Sequence, residues 1–443
     1  MKSVAIVGSG PAGFYTLQRL LEKSSASVDM FERLPVPFGL TRFGVAPDHP
    51  EVKNCQQRFE EFAQSPRFRF FGNIDIGSDI SLSHLRKKYS AVVLAYGAQL
   101  DNCLRIPGHD HPMVQSARDF VAWYNGHPDF QAAKWDFSRV KRVAIIGNGN
   151  VALDVARVLL RDPEKLKSTD ITADALSVLE KSSIKHVSVI GRRGVLQAAF
   201  TTKELRELIT EPGVSLNTVD MGDIPLFKSV MSRANRRKVD LLEKGSPEQP
   251  CPKKTWSLEF LKSPIEVIAK SPKLLSGINF AINRLDGPID APVAVPTPET
   301  QFENFDLVFW SIGYKGLPIN GMREAGVEFD SKNGVVCAPG GRAPDTNVFA
   351  TGWIRTGPRG VIASTMMDAY SVGEEVAKYL ESKDSAKAAG LELPINGLDP
   401  HAMVDWRGWQ RIDAHEINSA NGLKPREKVL VIPEMIRISQ SSD

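Results

Sequence analysis

The chain has 443 residues, enough for two or three domains with a core each. Hydrophobic residues make up 42% and charged residues 24%, which argues against extensive disorder, and a net charge of +3 gives no electrostatic case for nucleic acid. No run reaches the roughly 20 apolar residues of a membrane span, and the cysteines (Cys55, Cys103, Cys251, Cys337) are too scattered for a CxxC redox pair or a sequence-local metal or iron–sulfur ligand set. Reduced thiols and no metal are the expectation.

In chain order, Val4 to Val7 is a short apolar strand that ends in glycine, an apolar helical pattern follows through Leu21, and Val28 to Phe31 is a second strand. Together they read as βαβ. The prolines of Pro35–Gly39 forbid a helix there. Ala91 to Ala95 is a buried strand ending in Tyr96-Gly97. A second βαβ opens with Val143 to Ile146, continues with a helix over 150–160 and a polar, helix-prone stretch from Asp162 to Lys185, and ends with strand His186 to Ile190. One nucleotide-binding unit thus occurs twice. Residues 210–300 are the least legible: 228–244 is basic, with Arg233, Arg236, Arg237 and Lys238 at helical spacing, and 285–300 is rich in proline and polar residues and reads as a loop or hairpin. Strands over Phe305–Ile312 and Val348–Thr351 and a helix from about Ser364 to Leu380 complete the compact part. Ser382–Ala388 reads as an exposed linker, and no firm element emerges after 425. The first strand starts almost at Met1, so no signal or transit peptide is expected here; this suits a cytosolic protein or one whose presequence has been removed.

Two fingerprints carry the chemistry. In Gly8-Ser-Gly10-Pro-Ala-Gly13, between strand and helix, Gly8 permits the tight turn, Gly10 lets a pyrophosphate approach the backbone, and Gly13 lets helix and strand pack closely. The helix N-terminus offers N–H groups and a partial positive charge. Glu32, at the end of the second strand, would accept hydrogen bonds from ribose hydroxyls. The second fingerprint, Gly147-Asn-Gly149-Asn-Val-Ala152, has the same context, but its following strand ends in Gly191-Arg192-Arg193 with no acid. An acid repels a 2′-phosphate; paired guanidiniums bind it. The first site therefore suits an unphosphorylated adenosine ribose and the second suits NADP. One nucleotide stays bound while the other visits, and hydride transfer from NADPH to a flavin is the economical reading. His49, in Pro47-Asp-His-Pro50, and Asp154, in the second fingerprint helix, are the candidate polar groups beside the flavin, although each taken alone reads as structural. Arg233 and Arg237, four apart, share one helix face that is either a solvated surface or a dock for an acidic partner.

Four stretches in this order, Pro35–Lys53, Gly147–Arg157, Gly191–Arg206 and Gly352–Asp368, resemble the adrenodoxin reductase family, the mitochondrial-type ferredoxin–NADP reductases. The resemblance covers nearly the whole chain. It implies an α/β fold of two Rossmann-like dinucleotide-binding domains, with an NADP domain (104–317) inserted into a discontinuous FAD domain (1–103 and 318–443). It also implies tightly bound FAD, NADPH as substrate, and electron delivery to an acidic [2Fe–2S] ferredoxin in the mitochondrial matrix.

Carried over by position, FAD contacts fall on Ala12, Glu32, Leu40, Ile76, Trp353, Gly360, Val361 and Ile362, beside Gly8, Gly10 and Gly13. NADP contacts fall on Asn148, Gly149, Asn150, Val151, Arg192, Arg193, Glu204 and Gly360. His49 and Asp154 match the family's polar pair near the flavin, and Arg233 and Arg237 its ferredoxin-docking arginines. Two departures stand out. Asn148 replaces the usual Gln, and Arg355-Thr-Gly-Pro-Arg359-Gly replaces the usual Lys-Arg-Gly-Pro-Thr-Gly. The rival functions are a flavin-dependent monooxygenase, using the same two nucleotides, and a non-catalytic NADPH-responsive binding protein.

Overall fold

The computed structural model describes residues 2–217, 219–221, 231–247, 252–288, 291–395 and 397–441. The chain forms two compact units: Met1–Leu100 with Asn125–Gln131 and Tyr314–Asp443, and Asp101–Tyr124 with Ala132–Gly313. The excursion Asn125–Gln131, which sequence reading grouped with 104–317, clusters with the first unit. Arg33 pairs with Asp129 at 2.6 Å, and the Phe43 ring lies 4.9 Å from that of His127.

The first unit is built on a parallel sheet in the order Val348–Ala350, Ala91–Leu94, Ser3–Val7, Ser27–Glu32, Phe68–Gly72. Val4, Ala5, Ile6, Val92 and Val93 are fully buried, because a parallel sheet is covered on both faces and its strands read as continuous apolar runs. Helix Pro11–Lys23 packs against helix Ile362–Glu381, so closely that a side chain at Gly373 would meet Arg19.

The segment that sequence reading left without an element past 425 forms helix Ile432–Ser439, packed on helix Trp406–Ser419. Met435, Ile438, Trp409 and Ile412 join Phe14, Leu17 and Met30 in one core. Eight residues are too few for periodicity to reveal this from sequence. Under these helices lies a buried ionic cluster. Glu416, fully buried, accepts from Arg42 at 2.5 Å, from Arg426 at 3.2 Å and from the Val429 N–H at 3.0 Å. The Arg42 guanidinium also lies over the Trp409 ring, 5.3 Å from its centroid.

The second unit has a six-stranded parallel sheet: Val114–Ser116, Leu307–Trp310, Arg142–Ile146, His186–Ile190, Lys254–Glu259, Val214–Leu216. An antiparallel sheet of Lys262–Ser271, Leu274–Asp286 and Val293–Glu303 packs on it through Ile278, Phe280, Ile146, Ile190 and Val308. Of the two readings of 285–300 the hairpin holds, with Leu274–Asp286 and Val293–Glu303 paired antiparallel. Pro296 and Pro298 are tolerated because Val293–Glu303 is an edge strand, where a missing N–H breaks no ladder. Residues 289 and 290 lie outside the described residues. The helix-prone stretch Asp162–Lys185 holds a 3-10 turn, Pro163–Leu166, and helix Ala173–Glu180.

Replacing Glu416 by Ala leaves Arg42 buried beside a vacated partner. The expected loss is about 3–5 kcal/mol of stability in the first unit, read as an earlier unfolding midpoint in denaturant, and Arg42→Met together with Glu416→Leu should recover most of it. Equal midpoints for wild type and Glu416→Ala would show that the cluster is not a stability determinant.

Candidate dinucleotide sites

In the first unit the fingerprint glycines act differently. Gly8 has φ +104°, and a Cβ there would lie 2.6 Å from the Tyr96 Cα; one at Gly13 would collide with the Gly8 carbonyl oxygen. Nothing lies within 4 Å of a Cβ at Gly10, so that side of the turn is open. Gly10 caps the Pro11–Lys23 helix with no side-chain acceptor, which leaves first-turn N–H groups for an anion.

The Pro35–Gly39 loop folds onto this turn. The Phe38 N–H donates to the Ser9 carbonyl at 3.0 Å, and Phe38 is held at φ +82°, a strained value for a bulky residue. Glu32 accepts from the Ser9 N–H at 3.0 Å, the Ser9 hydroxyl at 2.6 Å and the Leu34 N–H at 3.1 Å. Its carboxylate thus braces the turn at the strand end.

Gly352, at φ +66°, presses against Ala12, and a Cβ there would lie 2.6 Å from the Ala12 Cβ. The turn after that strand is organised by Asp368, which sequence reading did not single out. It accepts from the Thr351 hydroxyl at 2.8 Å, from the Gly352 N–H at 2.7 Å and from Arg355. No spacing rule links Thr351 to Asp368; only the fold brings them together. Trp353 opens the short helix Trp353–Thr356, with its Nε1 unpartnered among the described residues. Gly360 has φ +82°, and Val361, 49% exposed, caps Ile362–Glu381 through backbone alone. Leu40 is exposed beside Gly39. Ile76 is different: its side chain is buried with Val7 and Phe31 and belongs to the core. His49 is buried and precedes the turn Pro50–Lys53, its N–H donating to the Ala46 carbonyl at 3.0 Å.

In the second unit, Gly147 has φ +121°, and a side chain there would collide with the Ser311 carbonyl. Gly149 again faces open space and caps Asn150–Leu160 without a side-chain acceptor. The Asn148 carbonyl accepts from the N–H groups of Ala199 at 3.1 Å and Phe200 at 3.2 Å. Asn150 Oδ1 accepts from the Thr201 N–H at 2.7 Å, and Thr201 donates to Glu204. Asn148, Asn150 and Glu204 are therefore neighbours, with Val151 half-buried at the head of the helix. The Asn148 amide fills the space a Gly191 side chain would need, which joins the fingerprint to the arginine turn. Arg192 is exposed and Arg193 half-buried, and neither has an ion-pair partner among the described residues. Asp154 pairs at 2.9 Å with Arg157, which is fully buried.

The basic stretch is helix Arg233–Lys244, capped by the Ser232 hydroxyl accepting from the Asn235 N–H. Arg233, Arg236 and Arg237 are exposed. Lys238 instead turns into its own unit, donating to the Ala198 carbonyl at 2.7 Å over the Phe200 ring, and burial lowers its pKa. Arginines in a first turn without an acid oppose the helix dipole, so stability alone does not account for them. Lys228 lies outside the described residues. Cys55, Cys103 and Cys337 are free thiols, and Cys251 also lies outside the described residues. No helix among the described residues is long and apolar enough to cross a membrane, and none of their His, Cys, Asp and Glu side chains form a metal-holding group.

Residues 2–219 match the family model described as pyridine nucleotide-disulphide oxidoreductase. The chain is 42% identical to the human mitochondrial NADPH:adrenodoxin oxidoreductase, over 98% of its own length and 91% of that protein. It is 39% identical to the Arabidopsis thaliana counterpart, over 98% and 94%. Among solved structures, Mycobacterium tuberculosis FprA in complex with NADPH superposes with a TM-score of 0.90 at 37% identity, over 99% of this chain and all of that one.

Gly8→Ala should be damaging at the first fingerprint. Positive φ and the collision with Tyr96 together imply a local cost of about 1–3 kcal/mol, and the purified variant should carry visibly less bound flavin than wild type. An undiminished flavin absorbance ratio would mean the turn has room that the geometry denies it.

Proposed function

The chain belongs to the NADPH:adrenodoxin oxidoreductase family, and from that premise we infer that it passes electrons from NADPH, through FAD, to a ferredoxin-type iron–sulfur protein. It is an FAD-dependent NADPH oxidoreductase. The observation that carries the assignment of cofactor to site is the charge at two equivalent strand ends: Glu32 in the first unit, Arg192 and Arg193 in the second.

The residues fit these groups. The open side of Gly10 and the uncapped start of Pro11–Lys23 suit the FAD pyrophosphate, and Glu32 suits its ribose. The start of Asn150–Leu160 suits the NADPH pyrophosphate, and the unpaired arginines suit its 2′-phosphate. FAD, when bound, supplies the exchange of a hydride for single electrons. The protein's part is to bind, orient and exclude water. Asp368 holds the Gly352–Arg355 turn, and the strained Phe38 loop closes over the first fingerprint. Trp353, Gly360, Val361 and Ile362 would line the flavin end, with His49 and Asp154 as the polar groups beside the reacting rings. Glu204, tied to Asn150 through Thr201, would meet the NADPH side.

The partner we propose is an acidic [2Fe–2S] ferredoxin that docks on Arg233 and Arg237. Three exposed guanidiniums on one helix suit that charge, and such a surface steers association in a salt-sensitive way. We propose a mitochondrial location from the human and plant relatives.

Arg192→Ala should weaken NADPH by ~1–3 kcal/mol while leaving NADH nearly unchanged, as expected for loss of a charge-assisted hydrogen bond. Equal losses in kcat/KM for both nucleotides would sink the cofactor assignment. Arg233→Ala with Arg237→Ala should slow NADPH-driven cytochrome c reduction through a [2Fe–2S] ferredoxin, and flatten its salt dependence, while ferricyanide reduction is spared. Parallel slowing of both acceptors would remove the dock.

A further inference from the structure

The arginine turn Gly191–Arg193 is clasped from one side by the segment Glu259–Lys262, which joins the parallel sheet to the antiparallel one, and by Asn283 of the antiparallel sheet. The Gly191 N–H donates to the Glu259 carbonyl at 2.8 Å, and the Gly191 carbonyl accepts from the Lys262 N–H at 3.2 Å. The Arg193 carbonyl accepts from the Leu261 N–H at 3.3 Å. The Arg192 carbonyl accepts from a side chain, Asn283 Nδ2, at 2.9 Å.

Two features of this clasp exceed what packing requires. Leu261 sits at φ +58°, a conformation that costs a bulky residue and persists only where its surroundings enforce it. Those surroundings are the turn itself and Asn283, whose backbone N–H donates to the Leu261 carbonyl at 2.7 Å. Asn283 is 3% exposed, an expensive place for an amide among the apolar strands of the second core. Its Nδ2 is committed to the Arg192 carbonyl and to Ser263 Oγ at 2.9 Å. A strained leucine and a buried amide thus fix the peptide planes on both sides of Arg192, whereas the Arg192 side chain itself is exposed with nothing among the described residues to hold it.

We propose that Asn283, acting with Leu261, is the positioning residue that sets selectivity for NADPH over NADH. It aims the backbone from which Arg192 and Arg193 reach the 2′-phosphate, and makes no contact with the nucleotide itself. The proposal rests on the assignment of those arginines to the 2′-phosphate. Its logic is entropic. An unpaired surface arginine loses side-chain freedom on binding, and a fixed backbone spares it the additional ordering of the turn.

The test is calorimetric binding of 2′,5′-ADP and of 5′-AMP to the FAD-loaded protein, since these probes differ only by the 2′-phosphate. Asn283→Leu removes the donor at similar volume and should weaken 2′,5′-ADP about tenfold while leaving 5′-AMP unchanged. In turnover, KM for NADPH should rise with kcat preserved. Asn283→Ser, which keeps a shorter polar group, should fall between the two, and it carries the same comparison if the leucine variant does not fold. Arg192→Ala is measured alongside. If that variant loses 2′,5′-ADP and the Asn283 variants do not, or if they lose both probes equally, Asn283 is merely structural and the proposal falls while the arginine assignment stands. If Arg192→Ala binds 2′,5′-ADP as wild type does, the assignment itself falls, and this proposal with it.

Discussion

A phosphate can reach the N–H groups at the start of a helix only where the backbone leading into that helix carries no side chains, and both halves of this protein are arranged around that constraint. At each fingerprint one glycine takes a positive φ against a neighbouring strand and another leaves open space. Everything nearby then serves to keep the turn in place: the Pro35–Gly39 loop and Glu32 in the first unit, and the 199–204 segment with Asn148 and Asn150 in the second. The rigid part is backbone and the selective part is charge. The two sites differ less in shape than in whether the next strand ends in a carboxylate or in guanidiniums.

That division explains what could be read from the sequence. Glycine spacing and strand-end charge are local, within a few tens of residues, so the βαβ units, the helix Asn150–Leu160, the strand His186–Ile190 and the tight glycine turns are all visible in the one-dimensional string. Asp368, the Gly352–Ala12 contact and the Glu416 cluster are not, because each depends on residues that meet only after the sheet is assembled. Over 293–303 the sequence left loop and hairpin open for another reason, and the hairpin is what forms. Prolines argue against a central strand, and sequence alone cannot tell a central strand from an edge. Ile76, a position carried over by resemblance, lends its side chain to the core.

The charges singled out above are of two kinds. Arg42 and Glu416 neutralise one another beneath the C-terminal helices, where either left alone would be costly. Arg192, Arg193, Arg233 and Arg237 stand at or near the surface with no carboxylate assigned to them. A protein of near-neutral net charge that pairs its interior ions and leaves these guanidiniums unpaired has concentrated its electrostatic selectivity in two places on the second unit.

The first unit's sheet draws its outer strand, Val348–Ala350, from the far end of the chain, and its core is closed by Trp409 and Met435 later still. During synthesis the amino-terminal hundred residues therefore emerge with Ala91–Leu94 as a bare, apolar edge. They hold that edge while the whole of the second unit is made, since residues 132–313 are contiguous and contain every strand of their own sheet except Val114–Ser116. The second unit can condense while the polypeptide is still growing, whereas the first must wait for the last helix. The contact of Gly352 with Ala12, beside the first fingerprint, is therefore among the last parts of that unit to form.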